Sequence, residues 1–144
     1  MIENRMQFRV RYVETDQMGI AHHSNYFAWF ECGRAELMRE LGYTYAEMEK
    51  EGLLMPITEV HCKYIRPAYY DDLLELRTIV EKLPRARISL RYEITRVATG
   101  EKIAEGDTTL AFLNDKRKPI RAPKKFLEVL TAHFDNQKAP QNKR

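Results

Sequence analysis

The residues best suited to chemistry lie in one short segment near the start of the chain. Asp16 is followed within seven residues by two adjacent histidines, His22 and His23. A carboxylate can attack an acyl carbon or deprotonate water, and a histidine can orient that water or protonate a leaving group. These residue types at this spacing predict acyl-transfer chemistry.

A predicted helix start supplies a second component of such a site. Ser24 or Asn25 can cap a helix there, because a short polar side chain accepts a hydrogen bond from an orphan backbone N–H. Free N–H groups at that end can hold the negative charge that develops on an attacked carbonyl oxygen. Taken alone, Asp16 before Met-Gly is also ordinary turn chemistry, and His23 could be a packing residue or an exposed imidazole.

The cluster of Asp16, His22 and His23 also resembles a set of metal ligands. Adjacent histidines point to different sides, and no third ligand follows Asp16 at a suitable spacing, so no metal is predicted. Cys32 and Cys62 also lack metal-type spacing, and both lie in apolar patterns. Buried, reduced thiols are therefore predicted rather than nucleophiles.

The central element predicted by the periodicity is a helix from Ser24 or Asn25 to Leu41, ended by Gly42. Arg34 falls inside its apolar arc, and two interpretations stay open, an ion pair with Glu31 one turn back or extension of the side chain to water. The wide arc predicts a helix covered by a curled sheet. The arc contains Tyr26, Phe27, Trp29, Phe30, Gly33, Leu37, Met38 and Leu41.

The remaining elements are predicted from alternation and turn signals. Gln7 to Val13 alternates, which predicts a strand with Phe8, Val10 and Tyr12 facing inward. Thr44 and Glu47 have capping-box spacing at the start of a second helix that Gly52 ends. Further predicted elements are strands at Ile57–Ile65, Leu73–Val80, Ala86–Val97 and Ile103–Leu113, and a helix from Pro123 to about His133.

This order of elements predicts an α+β fold in which one antiparallel sheet covers one long helix. The chain has 144 residues, which indicates one domain, predicted at 1–134, with a disordered tail at 135–144. The net charge of +3 is too small to indicate a nucleic-acid partner. The absence of a long apolar run and of a signal-peptide pattern predicts a cytoplasmic protein without a membrane span.

The run from Arg11 to Gly19, together with His23–Tyr26 and Phe30–Arg34, resembles the signature of 4-hydroxybenzoyl-CoA thioesterase-type hotdog proteins. Within that family it is most similar to the short acyl-CoA thioesterases of the YbgC kind, and Tyr64–Asp72 resembles the family's second motif. The resemblance covers about Gln7 to Pro123. It implies a hotdog fold with a five-stranded sheet around the helix, assembled as a dimer or a dimer of dimers with active sites at the subunit interface.

The resemblance also implies roles for individual residues. Asp16 matches the catalytic carboxylate, His23 matches an assisting histidine whose N–H polarises the carbonyl, and Tyr12 matches a tyrosine of the same pocket. His22 departs from the family, which often has an aromatic residue there, so it either contacts the acyl group or packs. The positions expected to bind substrate are Gly19, His22, Ser24, Asn25 and Tyr26.

The leading hypothesis is an acyl-CoA thioesterase that needs no cofactor, since coenzyme A belongs to the substrate. Two rivals are a hotdog hydratase, for which Glu31 is the one helical acid/base candidate, and a non-catalytic protein that binds acyl carriers. A basic set could meet coenzyme A phosphates or form a solvated edge; it consists of Lys82, Arg85, Arg87, Arg91, Lys116, Arg117 and Lys118. A homo-oligomer is expected because the helix is too wide for its own five strands, with the Asp16 loop facing strand Ile57–Ile65 of a second copy.

Overall fold

The computed structural model describes residues 1–138, and side chains within residues 1–134. Six strands and three helices form an α+β fold, with a 3-10 turn at Tyr12–Glu14. In chain order the elements are β1 (Ile2–Arg9), α1 (Asn25–Leu41), α2 (Tyr45–Lys50), β2 (Ile57–Tyr64), β3 (Leu73–Val80), β4 (Arg87–Arg96), β5 (Lys102–Leu113), β6 (Pro119–Ile120) and α3 (Lys124–Lys138).

The sheet has the order β1-β3-β4-β5-β2, and every pairing in it is antiparallel. Two-residue β6 adds to β5 beside this path, which gives a sixth strand where five were predicted. The predicted fold class is confirmed, because one antiparallel sheet covers the long helix α1. Inward side chains of β3, β4 and β5 form the core with that helix, among them Leu76, Ile94 and Phe112.

Helix α1 begins and ends where the periodicity predicts. Gly42 follows it in the left-handed conformation, with φ of 86°, as expected for a helix stop. Gly33 allows the helix to approach the sheet, because a Cβ there would lie 2.4 Å from the hydroxyl oxygen of Thr78. Phe27 was assigned to the inward arc, but its side chain is 42% exposed at the margin of the buried face.

The prediction for the first strand was wrong. β1 covers Ile2–Arg9, and the backbone then turns through the 3-10 segment Tyr12–Glu14. Tyr12 is 77% exposed and packs edge-on against Tyr70, with the ring centroids 5.6 Å apart. The alternation of Phe8, Val10 and Tyr12 continues past the true end of the strand, and it therefore indicated a false inward position for Tyr12.

Neither interpretation of Arg34 holds. Its side chain is only 6% exposed, so it does not reach water, and among residues 1–138 it forms no ion pair with Glu31. One guanidinium nitrogen donates to the hydroxyl of Tyr92 at 3.3 Å. That hydroxyl is in turn 2.7 Å from the hydroxyl of Thr108, so a chain of neutral oxygens stabilises the buried cation.

Of the other local predictions, some are confirmed and some are wrong. The capping box of Thr44 and Glu47 is present at the start of α2. Cys62 is half-buried, but Cys32 is exposed, so the prediction that both thiols are buried was wrong for Cys32. α3 continues past His133 to Lys138; the rest of the predicted tail, 139–144, lies outside the described residues.

No helix in residues 1–138 has the length and apolar content needed to cross a membrane.

Candidate active site

The candidate site is built on a tight loop between the 3-10 turn and α1. The N–H of Gly19 donates to the carbonyl oxygen of Asp16 at 2.9 Å, and the N–H of Asp16 donates to the carbonyl oxygen of Ile20 at 2.9 Å. Gly19 has a φ of +80°, which glycine adopts at no steric cost. Both the N–H and the carbonyl oxygen of Asp16 are therefore hydrogen-bonded within this loop.

The Asp16 side chain is half-buried and hydrogen-bonded within its own turn. One carboxylate oxygen, Oδ1, accepts a hydrogen bond from the backbone N–H of Met18 at 2.9 Å. This bond is a local turn contact of the kind that aspartate commonly forms. Asp16 also forms part of the wall of a neighbouring pocket.

This pocket has a volume of about 370 Å³ and lies between the loop, the start of α1 and the segment that follows β2. Its walls are formed by Asp16, Met18, Ile20, Ala21, His23, Tyr26, Tyr64, Ile65, Arg66 and Pro67. Three predicted site residues therefore meet in it, namely Asp16, His23 and Tyr26. The Asp16 loop faces the end of the chain's own β2, and the contact with strand Ile57–Ile65 of a second copy stays a prediction.

Backbone contacts hold the opposite wall in place. The N–H of Ala21 donates to the carbonyl oxygen of Ala68 at 2.8 Å, and Ile20 forms an isolated β-bridge with Tyr69. The loop is thus attached to the segment after β2, which carries Arg66 and Pro67. Arg66 is the one cation on the described pocket wall, and its Nε lies 3.6 Å from a carboxylate oxygen of Glu101.

Part of the pocket wall is aromatic. Tyr26 and Tyr64 meet edge to face with ring centroids 4.9 Å apart, and His23 lies 6.3 Å from Tyr64. Burial raises the pKa of Tyr26 to about 12, with smaller contributions from Cys62 and Tyr64, so its phenol is neutral at pH 7. Burial also raises the pKa of the Cys62 thiol, which disfavours the thiolate that nucleophilic attack would need.

The start of α1 differs in detail from the prediction. Ser24 precedes the helix, but its side chain makes no capping bond; its hydroxyl lies 2.8 Å from Nδ1 of His22. The side chain of Asn25 donates to the carbonyl oxygens of Glu14 and His22, at 2.7 and 3.0 Å. These three predicted binding residues therefore hold the loop against the helix and do not line the pocket.

Two other predicted residues also lie outside the pocket walls. Tyr12 contacts Tyr70 on the surface, and Gly19 contributes the turn rather than a wall. The backbone N–H of His23, the predicted oxyanion donor, has no acceptor recorded in the part of the chain that the structure describes. The hydroxyl of Tyr64 donates to the His23 carbonyl oxygen at 3.2 Å, which attaches the next peptide, between His23 and Ser24, to the end of β2.

Sequence reasoning missed the contribution of Glu14. It is a buried carboxylate two residues before Asp16, and it accepts a hydrogen bond from the indole N–H of Trp29 at 2.9 Å. The one available signal was Trp29 itself, because a buried tryptophan usually needs a partner for its N–H.

The basic residues of the β3–β4 hairpin gather elsewhere. Lys82, Arg85, Arg87 and Arg91 surround a concavity of about 790 Å³ at the beginning of β4. The candidate pocket lies toward the other end of this strand, since Ile94 pairs with Ala104 and Ala104 pairs with Tyr64. At roughly 3.3 Å per residue the two sites are about 23 Å apart along the strand. Arg117, from the second basic run, lies in the turn before β6.

Within residues 1–138, no three His, Cys, Asp or Glu side chains lie together as metal ligands. Glu31, the helical candidate of the hydratase hypothesis, is exposed and does not contribute to the pocket walls.

Comparison with known proteins gives consistent matches. Residues 10–130 match the model of the thioesterase-like superfamily. The putative acyl-CoA thioesterase YneP of Bacillus subtilis is 33% identical over 130 residues, which cover 90% of this chain and 94% of that protein. The acyl-CoA thioester hydrolase YbgC of Escherichia coli is 25% identical over 124 residues, covering 85% and 92% of the two chains.

A solved structure matches almost the whole chain. The DHNA-CoA thioesterase of Staphylococcus aureus superposes with a TM-score of 0.84 at 33% identity, covering 99% of this chain and 95% of that one.

Proposed function

The chain belongs to the thioesterase-like superfamily, and we propose that it hydrolyses acyl-CoA thioesters with Asp16 as the nucleophile or general base. Thioesterase activity is common to the named relatives, including the two acyl-CoA thioesterases of similar length. The observation that carries the proposal is the half-buried Asp16 carboxylate on the wall of a pocket that also contains the start of α1.

The geometry around Asp16 supports hydrolysis. One carboxylate oxygen is held by the N–H of Met18, and Asp16 lies on the pocket wall. Hydrolysis then proceeds either through attack on the carbonyl carbon, with expulsion of the thiolate and hydrolysis of the resulting anhydride, or through removal of a proton from an attacking water. The first route needs a carboxylate in contact with the thioester carbon, and the second needs one in contact with the attacking water.

The oxyanion is assigned to the backbone N–H of His23. This donor lies just before α1, where the helix dipole favours negative charge. The carbonyl oxygen of the peptide that carries this N–H is that of His22, and it accepts from the backbone N–H and the side-chain amide of Asn25 at 3.1 and 3.0 Å, so the donor is held before substrate binds. Loss of one such donor costs about 2.7–4 kcal/mol of transition-state stabilisation in known hydrolases. The imidazole of His23, on the same wall, is available to protonate the thiolate.

The pocket walls favour an aromatic acyl group over a long alkyl chain. Tyr26 and Tyr64 lie on its wall as an edge-to-face pair, and contacts between aromatic rings add about 0.5–1.5 kcal/mol beyond the area they bury. The volume of about 370 Å³ suits a compact ring. The S. aureus relative is named for DHNA-CoA, which agrees with this preference.

The active form is proposed to be a homo-oligomer. β2 pairs only with β5 among the described strands, so its other edge is available to a second copy. Exposed apolar and aromatic side chains surround the pocket, as expected for a surface covered in an assembly. They include Tyr12, Val13, Met18, Tyr64, Ile65, Tyr69 and Tyr70. Light scattering during size-exclusion chromatography tests this: a fully active species of 17.1 kDa contradicts it.

The decisive experiment is hydrolysis by the variant Asp16→Asn. We expect turnover to fall at least about a hundredfold on every accepted acyl-CoA, because the amide is neither a base nor a nucleophile. Asp115→Asn, in the turn after β5, is the matched control and should retain wild-type turnover. Wild-type turnover by Asp16→Asn would refute the proposed mechanism. If Asp16→Asn also hydrated enoyl-CoA substrates, the hydratase hypothesis would be favoured instead.

A panel of benzoyl-, naphthoyl-, butyryl- and palmitoyl-CoA tests the acyl preference. The aromatic pocket predicts higher kcat/KM for the first two substrates. A preference for palmitoyl-CoA would contradict it without affecting the role of Asp16.

A further inference from the structure

Glu14 is a buried carboxylate inside the segment that carries Asp16. Its side chain is only 6% exposed, and it does not line the candidate pocket. A buried carboxylate is costly unless it is fully hydrogen-bonded, so its partners indicate what it does.

Both oxygens of the carboxylate are occupied. Oε1 accepts from the backbone N–H of Arg11 at 2.7 Å. Oε2 accepts from the indole N–H of Trp29 at 2.9 Å and from the guanidinium of Arg11 at 3.3 Å. Burial acts to raise the pKa of Glu14, but these donors outweigh it and hold the pKa below its ordinary value. The group is therefore a carboxylate at pH 7.

The backbone of Glu14 makes a second set of contacts. Its carbonyl oxygen accepts from the N–H of His22 at 2.8 Å and from the side-chain amide of Asn25 at 2.7 Å. One residue thus contacts the stretch before the loop, the stretch after it, and the second turn of α1. Asp16 and the His23 N–H lie between these points.

We propose that Glu14 is a positioning residue that sets the Asp16 carboxylate relative to the oxyanion donor at the start of α1. The inference rests on the proposed function, because it concerns the geometry of that site. Glu14 acts through the peptide backbone and does not contact the thioester. Rate depends steeply on such geometry, since a misplacement of about 1 Å can cost about a hundredfold.

The bond between Glu14 and Trp29 can be removed from either side. Glu14→Gln keeps the size of the side chain but offers only one acceptor oxygen to two buried donors. Trp29→Phe removes the indole donor and retains an aromatic ring against Phe8 and Tyr26. If both substitutions act by removing the same bond, their effects should not add. The double variant should then have about the same kcat as the more impaired of the two single variants.

The expected result is a change in kcat rather than in KM. Glu14→Gln and Trp29→Phe should each lower kcat by about tenfold to a hundredfold. KM should stay within about twofold of the wild-type value, because neither residue lines the pocket. Contacts that bind the substrate equally well in the ground state and the transition state are therefore unchanged. Trp29 is the only tryptophan of the chain, so its fluorescence emission reports directly whether Glu14→Gln has broken the bond.

Glu3→Gln separates positioning from general stability. Glu3 is also a partly buried carboxylate, bonded to Arg77, but it lies at the far end of β1. This variant should lose stability while keeping wild-type kcat at a temperature where all the variants are folded. A fall in kcat equal to that of Glu14→Gln would mean that stability alone is responsible, and it would overturn the proposal.

Two further outcomes are decisive. A changed Trp29 emission in Glu14→Gln together with wild-type kcat overturns the positioning role; if that variant does not fold, wild-type kcat in Trp29→Phe does the same. Asp16→Asn is measured in parallel. If it is inactive while the Glu14 and Trp29 variants are fully active, only this inference fails; if it is fully active, the proposed function fails.

Discussion

Replacement of Gly19 by valine tests how strongly the loop conformation controls Asp16. Gly19 has a φ of +80°, and a Cβ built there meets nothing within 4 Å. A clash therefore does not contribute, and the cost is that of holding an L-residue in the left-handed region, about 1–2 kcal/mol. For a domain of this size that corresponds to a fall in melting temperature of roughly 2–8 °C.

The backbone can avoid this cost only by moving Asp16. The N–H of Gly19 bonds to the carbonyl oxygen of Asp16, and the N–H of Asp16 bonds to Ile20 across the same turn. A relaxed φ at Gly19 therefore shifts the carboxylate relative to the pocket. We expect kcat to fall by about tenfold to a hundredfold.

Gly42→Val is the matched control. Gly42 has a φ of +86° and also meets nothing within 4 Å, but it lies at the opposite end of α1, about 25 Å away for a 17-residue helix. Both variants should lose similar stability in thermal unfolding, and only Gly19→Val should lose kcat in a steady-state acyl-CoA assay. Equal kcat in the two variants would refute the idea that this turn positions Asp16.

Three further outcomes are expected. The Asp107 carboxylate, 2.9 Å from the His61 imidazole, raises the pKa of His61. The contribution of this pair to folding stability is therefore complete below the pKa of His61 in the unfolded chain and is lost as pH rises through its pKa in the folded protein. Asp107→Asn should lower the pKa of His61 measured by NMR titration. Gly106→Ala places a methyl group 2.3 Å from the carbonyl oxygen of His61 and 2.8 Å from the Phe30 ring, and should cost about 1–3 kcal/mol in chemical denaturation. Arg34→Met should leave the free energy of unfolding unchanged or raise it, because the buried guanidinium has no carboxylate partner in residues 1–138 and its Nε is unsatisfied.

Local patterns were sufficient to predict most of the fold. The periodicity of α1, ended by Gly42, matches the observed helix, and Leu73–Val80 matches β3. These predictions succeed because burial of one face dictates the period of the apolar residues. Tyr12 shows the limit, since its alternation with Val10 is genuine but the chain has already left the sheet.

The site could be predicted only where it is local in sequence. The Asp16 turn follows from aspartate and glycine at suitable positions, and Gly19 indeed has positive φ. The wall from Tyr64 to Pro67 depends on the register of β2 against β5, which a single sequence does not display. Glu14 was missed for the same reason, because its partner Trp29 is fifteen residues away on another element.

The order of strands in the sheet has a consequence for biosynthesis. β1 is the first strand made, yet its partner is β3, so Ile2 must wait for Val80 before it can pair. The apolar face of α1 has no complete cover until β5 has been made. At about 5–20 residues per second, roughly 4–14 s separate the synthesis of Leu41 from that of Leu113. During this interval the nascent chain exposes its most apolar helix, and the loop that carries Asp16 lacks its partner segment until Ala68 and Tyr69 have been made.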